Sequence, residues 1–385
     1  MNPMKSQRLT QHLIDPEDCI RCNTCEESCP IEAITHDDNN YVVDANICNR
    51  CRACVSPCPT GAIDRWHTVD QPYTSAQQLS WQKLPAQLFP PLAPTEEVVA
   101  DAALKAKAPL SASKPVLHLY HRNAPALGVV RTIERATKMA AEDDVWHIVL
   151  DFGNQAMPVL EGQNIGIVPP GLDANGRQHV ERLYSVASAR SGEKHGTNTI
   201  ALTVRRKPGG NCSNYLCDLL PGQTVNTVGP FGSTFLMPED PNANLIMICT
   251  GTGVAPFRAF IQHRLRTMRN AKGRLLLFFG GRSPAELPYC GQEKSLPEDF
   301  LDHYFGFSRH PDESKTYVQD LVRLTADRLR QLLVDAGTNV FLCGRRGMES
   351  GVEESFRFVL DGTDEAWPTL HQKMLESGRY HVETY

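Results

Sequence analysis

Between residues 116 and 238 the chain consists of short runs in which apolar residues alternate with polar ones or cluster, with glycine or proline between the runs. Each run has the length and pattern of a β-strand. Because these strands are short and closely spaced, the pattern predicts a small antiparallel β-barrel. The predicted strands cover residues 116–122, 127–135, 144–152, 164–170, 182–190 and 199–206.

After residue 238 the pattern changes to apolar strands that alternate with helical segments. A predicted strand at 244–250 runs into Gly251-Thr252-Gly253, and a predicted helix follows to about residue 268. A strand, a glycine turn and a helix begin a doubly wound parallel sheet, in which the glycines let a pyrophosphate approach the backbone. Further parallel strands are predicted at 274–281, 302–309 and 339–344, with a helix at 317–336.

The first 69 residues contain two cysteine runs of identical spacing, C-x2-C-x2-C-x3-C followed by proline. Equivalent cysteines are 29 residues apart and the flanking residues repeat as well, so this head is an internal duplication. The spacing is typical of bacterial ferredoxins with two [4Fe–4S] clusters, in which the fourth cysteine of each run binds the other cluster. It predicts one cluster on Cys19, Cys22, Cys25 and Cys58, and a second on Cys48, Cys51, Cys54 and Cys29. Two structural zinc sites are the alternative, but they do not explain two identical four-cysteine runs that both end in proline.

From residue 70 to about residue 115 the apolar pattern disappears, and proline recurs among alanine, glutamine, serine and threonine. This composition predicts a linker, either a tether that lets the head move or a belt packed on the surface. The predicted domains are therefore an α+β ferredoxin-like head at 1–69, the linker at 70–115, the antiparallel β-barrel at 116–238 and the doubly wound parallel sheet at 239–385.

Composition and charge indicate which class of partner and which cellular compartment to expect. The chain has 385 residues and a formal net charge of −5, which does not favour a nucleic-acid partner. Its N-terminus lacks the apolar stretch of a secretion signal, and no run of about 18 apolar residues occurs, so we expect neither export nor a membrane span. Thirteen cysteines without an export signal favour metal-bound thiolates in a reducing cytoplasm. The sequence leaves homo-oligomer formation open.

Two stretches of the barrel domain resemble the flavin motifs of plant-type ferredoxin–NADP⁺ reductases. The first is the R-x-Y-S motif at residues 182–185, and the second is the segment 210–219. The resemblance implies that FAD is bound, with Arg182 on the pyrophosphate, Tyr184 stacked on the isoalloxazine and Ser185 near flavin N5. The resemblance also implies contacts to FAD from Leu183, Asn211, Cys212 and Ser213. A predicted helix over residues 212–216 would direct free N–H groups at the phosphates.

The parallel-sheet domain resembles the same family in four places. The string G-T-G-x-A-P-F-R implies pyrophosphate binding, and the string S-R followed by K-x-Y-x-Q implies binding of the NADP 2′-phosphate and adenine. NADPH is therefore expected rather than NADH. The string C-G-x-x-G-M-E and the terminal V-E-x-Y imply a cysteine that orients the nicotinamide, a glutamate that relays a proton, and a tyrosine stacked on the flavin. The residues concerned are Gly251, Thr252, Gly253, Pro256, Arg258, Ser308, Arg309, Lys315, Tyr317, Gln319, Cys343, Glu349, Glu383 and Tyr385.

Together these parts predict an electron route from NADPH through FAD and two [4Fe–4S] clusters to a partner protein. A ferredoxin-like head fused to such a reductase resembles the reductase components of benzoyl-CoA 2,3-epoxidase systems. That resemblance implies a separate di-iron oxygenase component as the electron acceptor. The alternatives are a general NADPH:ferredoxin-type reductase with a fused carrier, and an electron-transfer subunit of a larger redox complex.

Overall fold

The computed structural model divides by its internal contacts into two compact units, Met1–Lys105 and Ala106–Tyr385. The described residues are 9–21, 23–29, 31–48, 54, 58, 60, 62–63, 66–85, 106–172, 179, 181–291, 296–297, 299–310, 312 and 314–385.

The first unit is built from two antiparallel strand pairs, which reflect the duplicated sequence. Strand β1 pairs with β4, and β2 pairs with β3. Their buried apolar residues form one small core, against which the described cysteines of both runs pack. Its described elements are β1 (Leu9–His12), α1 (Thr24–Ser28), β2 (Ile34–His36), β3 (Tyr41–Val43), β4 (Trp66–Val69) and α2 (Ser75–Leu79).

The beginning of the predicted linker packs on the head. Asn40 Nδ2 donates hydrogen bonds to the backbone oxygens of Leu79 at 3.0 Å and Trp81 at 2.6 Å. The buried Gln78 side chain exchanges hydrogen bonds with the backbone of Val43, as a neighbouring strand would. Residues 70–85 therefore supply polar partners to the head, and residues 86–105 lie outside the described part of the chain.

The second unit begins with a six-stranded antiparallel sheet in the order β8-β7-β10-β5-β6-β9. An isolated antiparallel bridge joins Val186, just beyond one edge strand, to Leu202 on the other edge strand. Closure of the sheet into a barrel stays a prediction. The elements are β5 (Ala126–Arg135), β6 (Val145–Asp151), β7 (Asn164–Val168), β8 (Arg182–Ser185), β9 (Thr199–Arg205), α3 (Asn211–Cys217) and β10 (Thr224–Phe231).

Five of the six strands predicted in this domain are confirmed, and the strand predicted at 116–122 is wrong. That segment forms only isolated bridges, from Tyr120 to Gly229 and from His121 to Ala124, and His118 has a φ of 52°. Its apolar side chains, including Leu117 and Leu119, are 40% and 44% exposed, so neither face is buried and the strand does not extend. Strand β10 was not predicted from the sequence; a register shift in it accommodates Pro230 within a paired strand.

The rest of the second unit is a five-stranded parallel sheet in the order β13-β12-β11-β14-β15, flanked by helices. Nearly every residue of β11, β12 and β14 is buried, as expected for strands covered on both faces. The elements are β11 (Asn244–Thr250), α4 (Val254–Thr267), β12 (Leu275–Gly281), β13 (Asp302–Phe307), α5 (Val318–Leu324), α6 (Ala326–Val334), β14 (Thr338–Gly344), α7 (Met348–Val359), α8 (Trp367–Glu376) and β15 (Tyr380–Thr384).

The four strands predicted in this domain are confirmed, but the single helix predicted at 317–336 is wrong. It is two helices, α5 and α6, that meet at Thr325. The Thr325 hydroxyl donates a hydrogen bond to the carbonyl oxygen of Leu321 at 2.9 Å, which competes with continued helical geometry. In the described part of the chain, no helix has the length and apolar character needed to cross a membrane.

Candidate functional site

Cysteines from both runs of the head converge on one cavity. Cys19 and Cys25 of the first run line it together with Cys58 of the second, and Ile63 and Tyr41 complete part of the wall. This is the crossed arrangement that the spacing predicts for the first cluster. The fourth predicted ligand, Cys22, lies outside the described residues.

The second predicted set is Cys29, Cys48 and Cys54, with Cys51 outside the described residues. The Cys29 sulfur accepts a hydrogen bond from the backbone N–H of Ala33 at 3.2 Å. Cys54 is 6% exposed, and its sulfur lies 3.7 Å from Nδ1 of His12.

The described cysteines of both sets fit iron–sulfur clusters. They gather against an apolar core. A thiolate is a soft ligand, and ligands of this kind select iron–sulfur clusters. No group of three or more potential ligands among the described residues is close enough to hold a single metal ion. A four-iron cluster places its thiolates further apart than one ion does, because each thiolate binds its own iron.

The predicted flavin motif forms an edge strand of the antiparallel sheet. Strand β8 pairs with β7 so that Ser185 is opposite Asn164 and Tyr184 is opposite Ile165. The Ser185 hydroxyl donates a hydrogen bond to Oδ1 of Asn164 at 2.9 Å. Asn164 thus belongs to the candidate site, although the sequence analysis did not single it out.

The second flavin segment lies against the first. Tyr184 contacts Cys212 at the start of α3, and burial together with this neighbour raises the pKa of the Tyr184 phenol. Burial also raises the pKa of the Cys212 thiol to about 11, so the thiol stays protonated. The Ser213 hydroxyl accepts a hydrogen bond from the backbone N–H of Lys207, which holds the tight turn before the helix. Tyr184, Cys212 and Ser213 are therefore in one place, with Arg182 exposed at the start of the same edge strand.

The glycine turn meets the end of β14. A Cβ atom added to Gly253 would lie 2.1 Å from the backbone oxygen of Cys343, and one added to Gly344 would lie 2.4 Å from Thr250 Oγ1. Only glycine permits this approach of two backbones. The turn that follows β11 and the end of the neighbouring strand β14 therefore form a continuous edge, as expected at the carboxyl ends of parallel strands.

The C-terminal strand β15, which the sequence analysis did not predict as a strand, completes that edge. It pairs in parallel with β14 so that Glu383 is opposite Cys343. The Tyr385 hydroxyl lies 2.5 Å from Thr252 Oγ1, while 53% of the tyrosine remains exposed. The carboxylate of Glu349 accepts a hydrogen bond from Thr384. The predicted residues Thr252, Cys343, Glu383 and Tyr385 are thus brought together by strand pairing.

Asn164 connects this edge to the flavin-motif strand. Burial raises the pKa of the Glu383 carboxyl to about 8, and a hydrogen bond with the Asn164 side chain acts in the opposite direction. Since Asn164 also accepts the hydrogen bond from Ser185, the three side chains form one chain of contacts across the two domains. A carboxyl that is neutral near pH 7 can act as a general acid.

Arg258, which the resemblance assigns to the cofactor, lies in an ion pair. Its guanidinium donates hydrogen bonds to both carboxylate oxygens of Glu193, at 2.6 and 2.7 Å, and to the backbone oxygen of Ala187. It also lies 4.9 Å from the ring centroid of Tyr289. Arg258 therefore joins α4 to the antiparallel sheet domain, and Glu193 is a second residue that the sequence analysis missed.

The residues predicted for the 2′-phosphate lie between the end of β13 and the start of α5. Lys315 Nζ is 4.6 Å from the ring centroid of Tyr317, whose side chain is 43% exposed. Arg309 forms an exposed ion pair with Glu142 at 3.3 Å. The Ser308 backbone N–H donates to the carbonyl oxygen of Gly281, which places the loop over the end of β12.

The Gln319 side chain lies beside α7. A Cβ atom added to Gly351 of α7 would lie 3.4 Å from Gln319 Cδ, so the Gln319 side chain lies against that helix. Pro256 is buried within α4 behind the glycine turn.

Three family profiles match the chain. A profile described as a 4Fe-4S dicluster domain matches residues 18–63. One described as an oxidoreductase FAD-binding domain matches residues 132–235, and one described as an oxidoreductase NAD-binding domain matches residues 247–354.

Relatives that match over more than two thirds of both chains decide the family. A ferredoxin–NADP reductase from Thermosynechococcus vestitus is 38% identical over 318 residues, covering 77% of this chain and 81% of the relative. The chain belongs to the ferredoxin–NADP reductase family. A further member, the chloroplastic root isozyme from Oryza sativa, is 34% identical over 300 residues, covering 71% of this chain and 79% of the isozyme. The solved ferredoxin–NADP⁺ reductase of Plasmodium falciparum shares the fold, with a TM-score of 0.55 at 21% identity over 70% of this chain and all of that one.

This member of the ferredoxin–NADP reductase family thus combines FAD- and NAD-binding oxidoreductase domains with an N-terminal 4Fe-4S dicluster domain. The profile matches fall on the elements described above. The dicluster match contains both cysteine runs, and the FAD-binding match contains Asn164 and Ser185. The NAD-binding match contains the glycine turn and Cys343 but ends before β15.

Proposed function

We propose that this reductase oxidises NADPH and passes the electrons through FAD and two [4Fe–4S] clusters to a partner protein. The observation that carries the proposal is the chain of contacts from Ser185 through Asn164 to Glu383. It joins the flavin-motif strand of one domain to the C-terminal strand of the other. A site that brings these groups together suits exchange of hydride and proton at a bound flavin.

FAD would lie along β8. When bound, FAD exchanges two electrons with a nicotinamide and one electron at a time with an iron–sulfur cluster, which is the conversion that this set of domains requires. Arg182 would bind the pyrophosphate through its guanidinium, and the ring of Tyr184 would face the isoalloxazine. The backbone of Leu183 and the turn before Asn211 would complete the cradle.

The nicotinamide would enter at the edge formed by the glycine turn and β15. Thr252 lies within hydrogen-bond distance of the Tyr385 hydroxyl, and 53% of this last residue is exposed, so the tyrosine would be able to leave when a nicotinamide arrives. Cys343 is buried at the same edge and would orient the incoming ring. Glu383, which is largely protonated at neutral pH, would hold a proton for the site.

NADPH rather than NADH is proposed because cationic and hydroxyl donors gather at the loop after β13. Arg309, Lys315 and the Ser308 hydroxyl suit a 2′-phosphate, and the exposed ring of Tyr317 suits an adenine. The Arg309–Glu142 pair is exposed on both sides, at 65% and 64%, so it contributes little stability and Arg309 is free to exchange its partner.

The partner is proposed to be the oxygenase component of a benzoyl-CoA 2,3-epoxidase-type system, in the cytoplasm. This step depends on the resemblance of the whole chain, which implies a separate oxygenase component. The aromatic substrate would therefore bind the oxygenase. A general NADPH:ferredoxin-type reductase is the second candidate, because the similar curated proteins are ferredoxin–NADP reductases.

Three measurements test these proposals. Purified holoprotein should contain about eight iron atoms and one FAD, and NADPH should reduce the flavin much faster than NADH does. A preparation that contains zinc without iron would contradict the electron route, and equal rates with both nucleotides would contradict the preference for NADPH. Affinity capture with the reduced protein should retain a di-iron oxygenase; rapid reduction of an added ferredoxin without such a partner would favour the second candidate.

A further inference from the structure

A buried histidine lies beside one of the predicted cluster ligands. His12 is the last residue of β1 and is 2% exposed. Its Nδ1 lies 3.7 Å from the sulfur of Cys54, within the range of a hydrogen bond to sulfur. Cys54 belongs to the set that also contains Cys29, Cys48 and Cys51.

The duplication shows that this histidine breaks the symmetry of the head. A shift of 29 residues relates Cys25 to Cys54, and the same shift relates His12 to Tyr41. Tyr41 lines the cavity that contains Cys19, Cys25 and Cys58. His12 therefore places an imidazole against the set that contains Cys54. The equivalent Tyr41 places a phenol against the other set.

One charged position is the same in both halves of the head. Arg21 lines the cavity of the first set, and the 29-residue shift relates Arg21 to Arg50, so the repeat retains this charge in sequence. The exchange of tyrosine for histidine is a change in hydrogen-bonding chemistry instead. A cluster-bound thiolate only accepts hydrogen bonds, so Nδ1 must carry the hydrogen in the contact with Cys54.

We propose that His12 donates a hydrogen bond to the Cys54 sulfur and thereby raises the reduction potential of the cluster held by Cys29, Cys48, Cys51 and Cys54. The inference rests on the two clusters of the proposed function. Reduction adds negative charge to a cluster, and a donor aimed at a ligand sulfur stabilises that charge. The effect is strong because the contact is buried in a medium of low polarity. His12 thus biases an electron shared by the head toward this cluster.

The test is a potentiometric titration of the complete holoprotein, followed by electron paramagnetic resonance of the reduced clusters. His12→Phe should lower the midpoint potential of one cluster and leave the other unchanged. The expected size is on the order of tenfold in the ratio of reduced to oxidised cluster at a fixed potential, or about 59 mV for a one-electron couple. His12→Asn, which still presents an N–H donor, should recover most of the shift.

The matched control is His36→Phe. His36 bonds to Glu26 and stacks on Tyr41 at a centroid distance of 4.5 Å, so its replacement removes a histidine without removing the Cys54 contact. His36→Phe should leave the potential of the cluster beside His12 unchanged. Unchanged midpoints in His12→Phe, or an equal shift of that cluster in His36→Phe, would overturn the proposal.

A measurement on the wild type covers the case in which His12→Phe does not assemble. Labelling with ¹⁵N-histidine should give a weak nitrogen coupling to one reduced cluster in pulsed resonance spectra. Its absence in protein with both clusters present would overturn the role of His12. Loss of the clusters from the wild type would instead contradict the proposed function, and iron and sulfide analysis separates the two failures.

Discussion

Ser185 donates its hydroxyl hydrogen to Oδ1 of Asn164, 2.9 Å away, and not to the carboxyl of Glu383. The Asn164 side chain in turn bonds to Glu383. A carboxamide joins the two groups but does not release a proton near neutral pH. Asn164 therefore orients the side chains of Ser185 and Glu383. A proton that moves between those two side chains has to bypass the Asn164 carboxamide.

Replacement of Asn164 by alanine should make Glu383 a weaker acid. The Asn164 hydrogen bond favours the ionised carboxylate and lowers the pKa, so its loss should move the pKa from about 8 to a higher value. The expected movement is roughly one pH unit, the equivalent of a hydrogen bond to a charged group. The alkaline limb of the pH profile of flavin reduction by NADPH should move by the same amount, and infrared titration of the carboxyl band should show it directly.

Asn226→Ala is the matched control for that experiment, because Asn226 is exposed on the neighbouring strand β10. It should leave the profile in place. A profile that is identical in wild type and Asn164→Ala would contradict the connection between Asn164 and Glu383.

Glu383 should also make stability depend on pH. Its pKa is raised from an ordinary value of 4.5 to about 8, so the folded protein binds the proton more tightly than the unfolded chain does. The free energy of unfolding should therefore decrease as pH rises from about 4.5 to about 8, and this contribution should be constant above that range. Glu383→Gln has no titrating group and should flatten this part of the curve in denaturant titrations. An unaltered slope in Glu383→Gln would assign the dependence to other groups.

Arg258→Ala should reduce stability more than it reduces NADPH binding. It would leave Glu193, whose side chain is 20% exposed, without its bidentate partner, at a cost of about 3 kcal/mol. Burial opposes ionisation of Glu193, but hydrogen bonds from Arg258 and His147 hold its pKa well below the usual range. The contribution of the Arg258–Glu193 pair to the free energy of unfolding should therefore be present above pH 4.5 and be lost as pH falls.

The double variant Arg258→Met with Glu193→Gln should recover much of the lost stability, because no uncompensated charge remains. Thermal unfolding of the single and double variants measures this. A large increase in the KM for NADPH at unchanged melting temperature would instead support the cofactor role that the sequence motif implies for Arg258.

Arg309→Ala should remove the preference for NADPH. Loss of a hydrogen-bonded cation at a phosphate costs about 1.5–3 kcal/mol, or roughly tenfold to a hundredfold in the KM for NADPH, and should leave the KM for NADH nearly unchanged. Glu142→Gln should instead lower the KM for NADPH, since it releases Arg309 from its present partner. Steady-state kinetics with both nucleotides measures each effect. Arg269→Ala, an exposed arginine at the end of α4, is the control; an equal loss in that variant would assign the effect to general surface charge.

Local patterns predicted nine of the eleven strands described in the second unit correctly, because each pattern reports the burial of its own faces. Strand β11 and the glycine turn follow from an apolar run that ends in Gly251-Thr252-Gly253. The same method failed at residues 116–122, where alternation is present but no layer covers the side chains. It also failed at Thr325, whose hydroxyl interrupts a helical pattern that is otherwise continuous.

The sequence by itself determined which chemical groups are present and in what order: two spaced cysteine runs, an R-x-Y-S strand, a glycine turn and a terminal tyrosine. Spacing is sufficient for these because ligands and turns of this kind depend on neighbours a few residues apart. Only the tertiary structure decided that Asn164 lies between Ser185 and Glu383, that Arg258 pairs with Glu193, and that His12 lies at Cys54. These contacts join residues that are tens to hundreds of positions apart, and strand pairing and the packing of one layer on another bring them together.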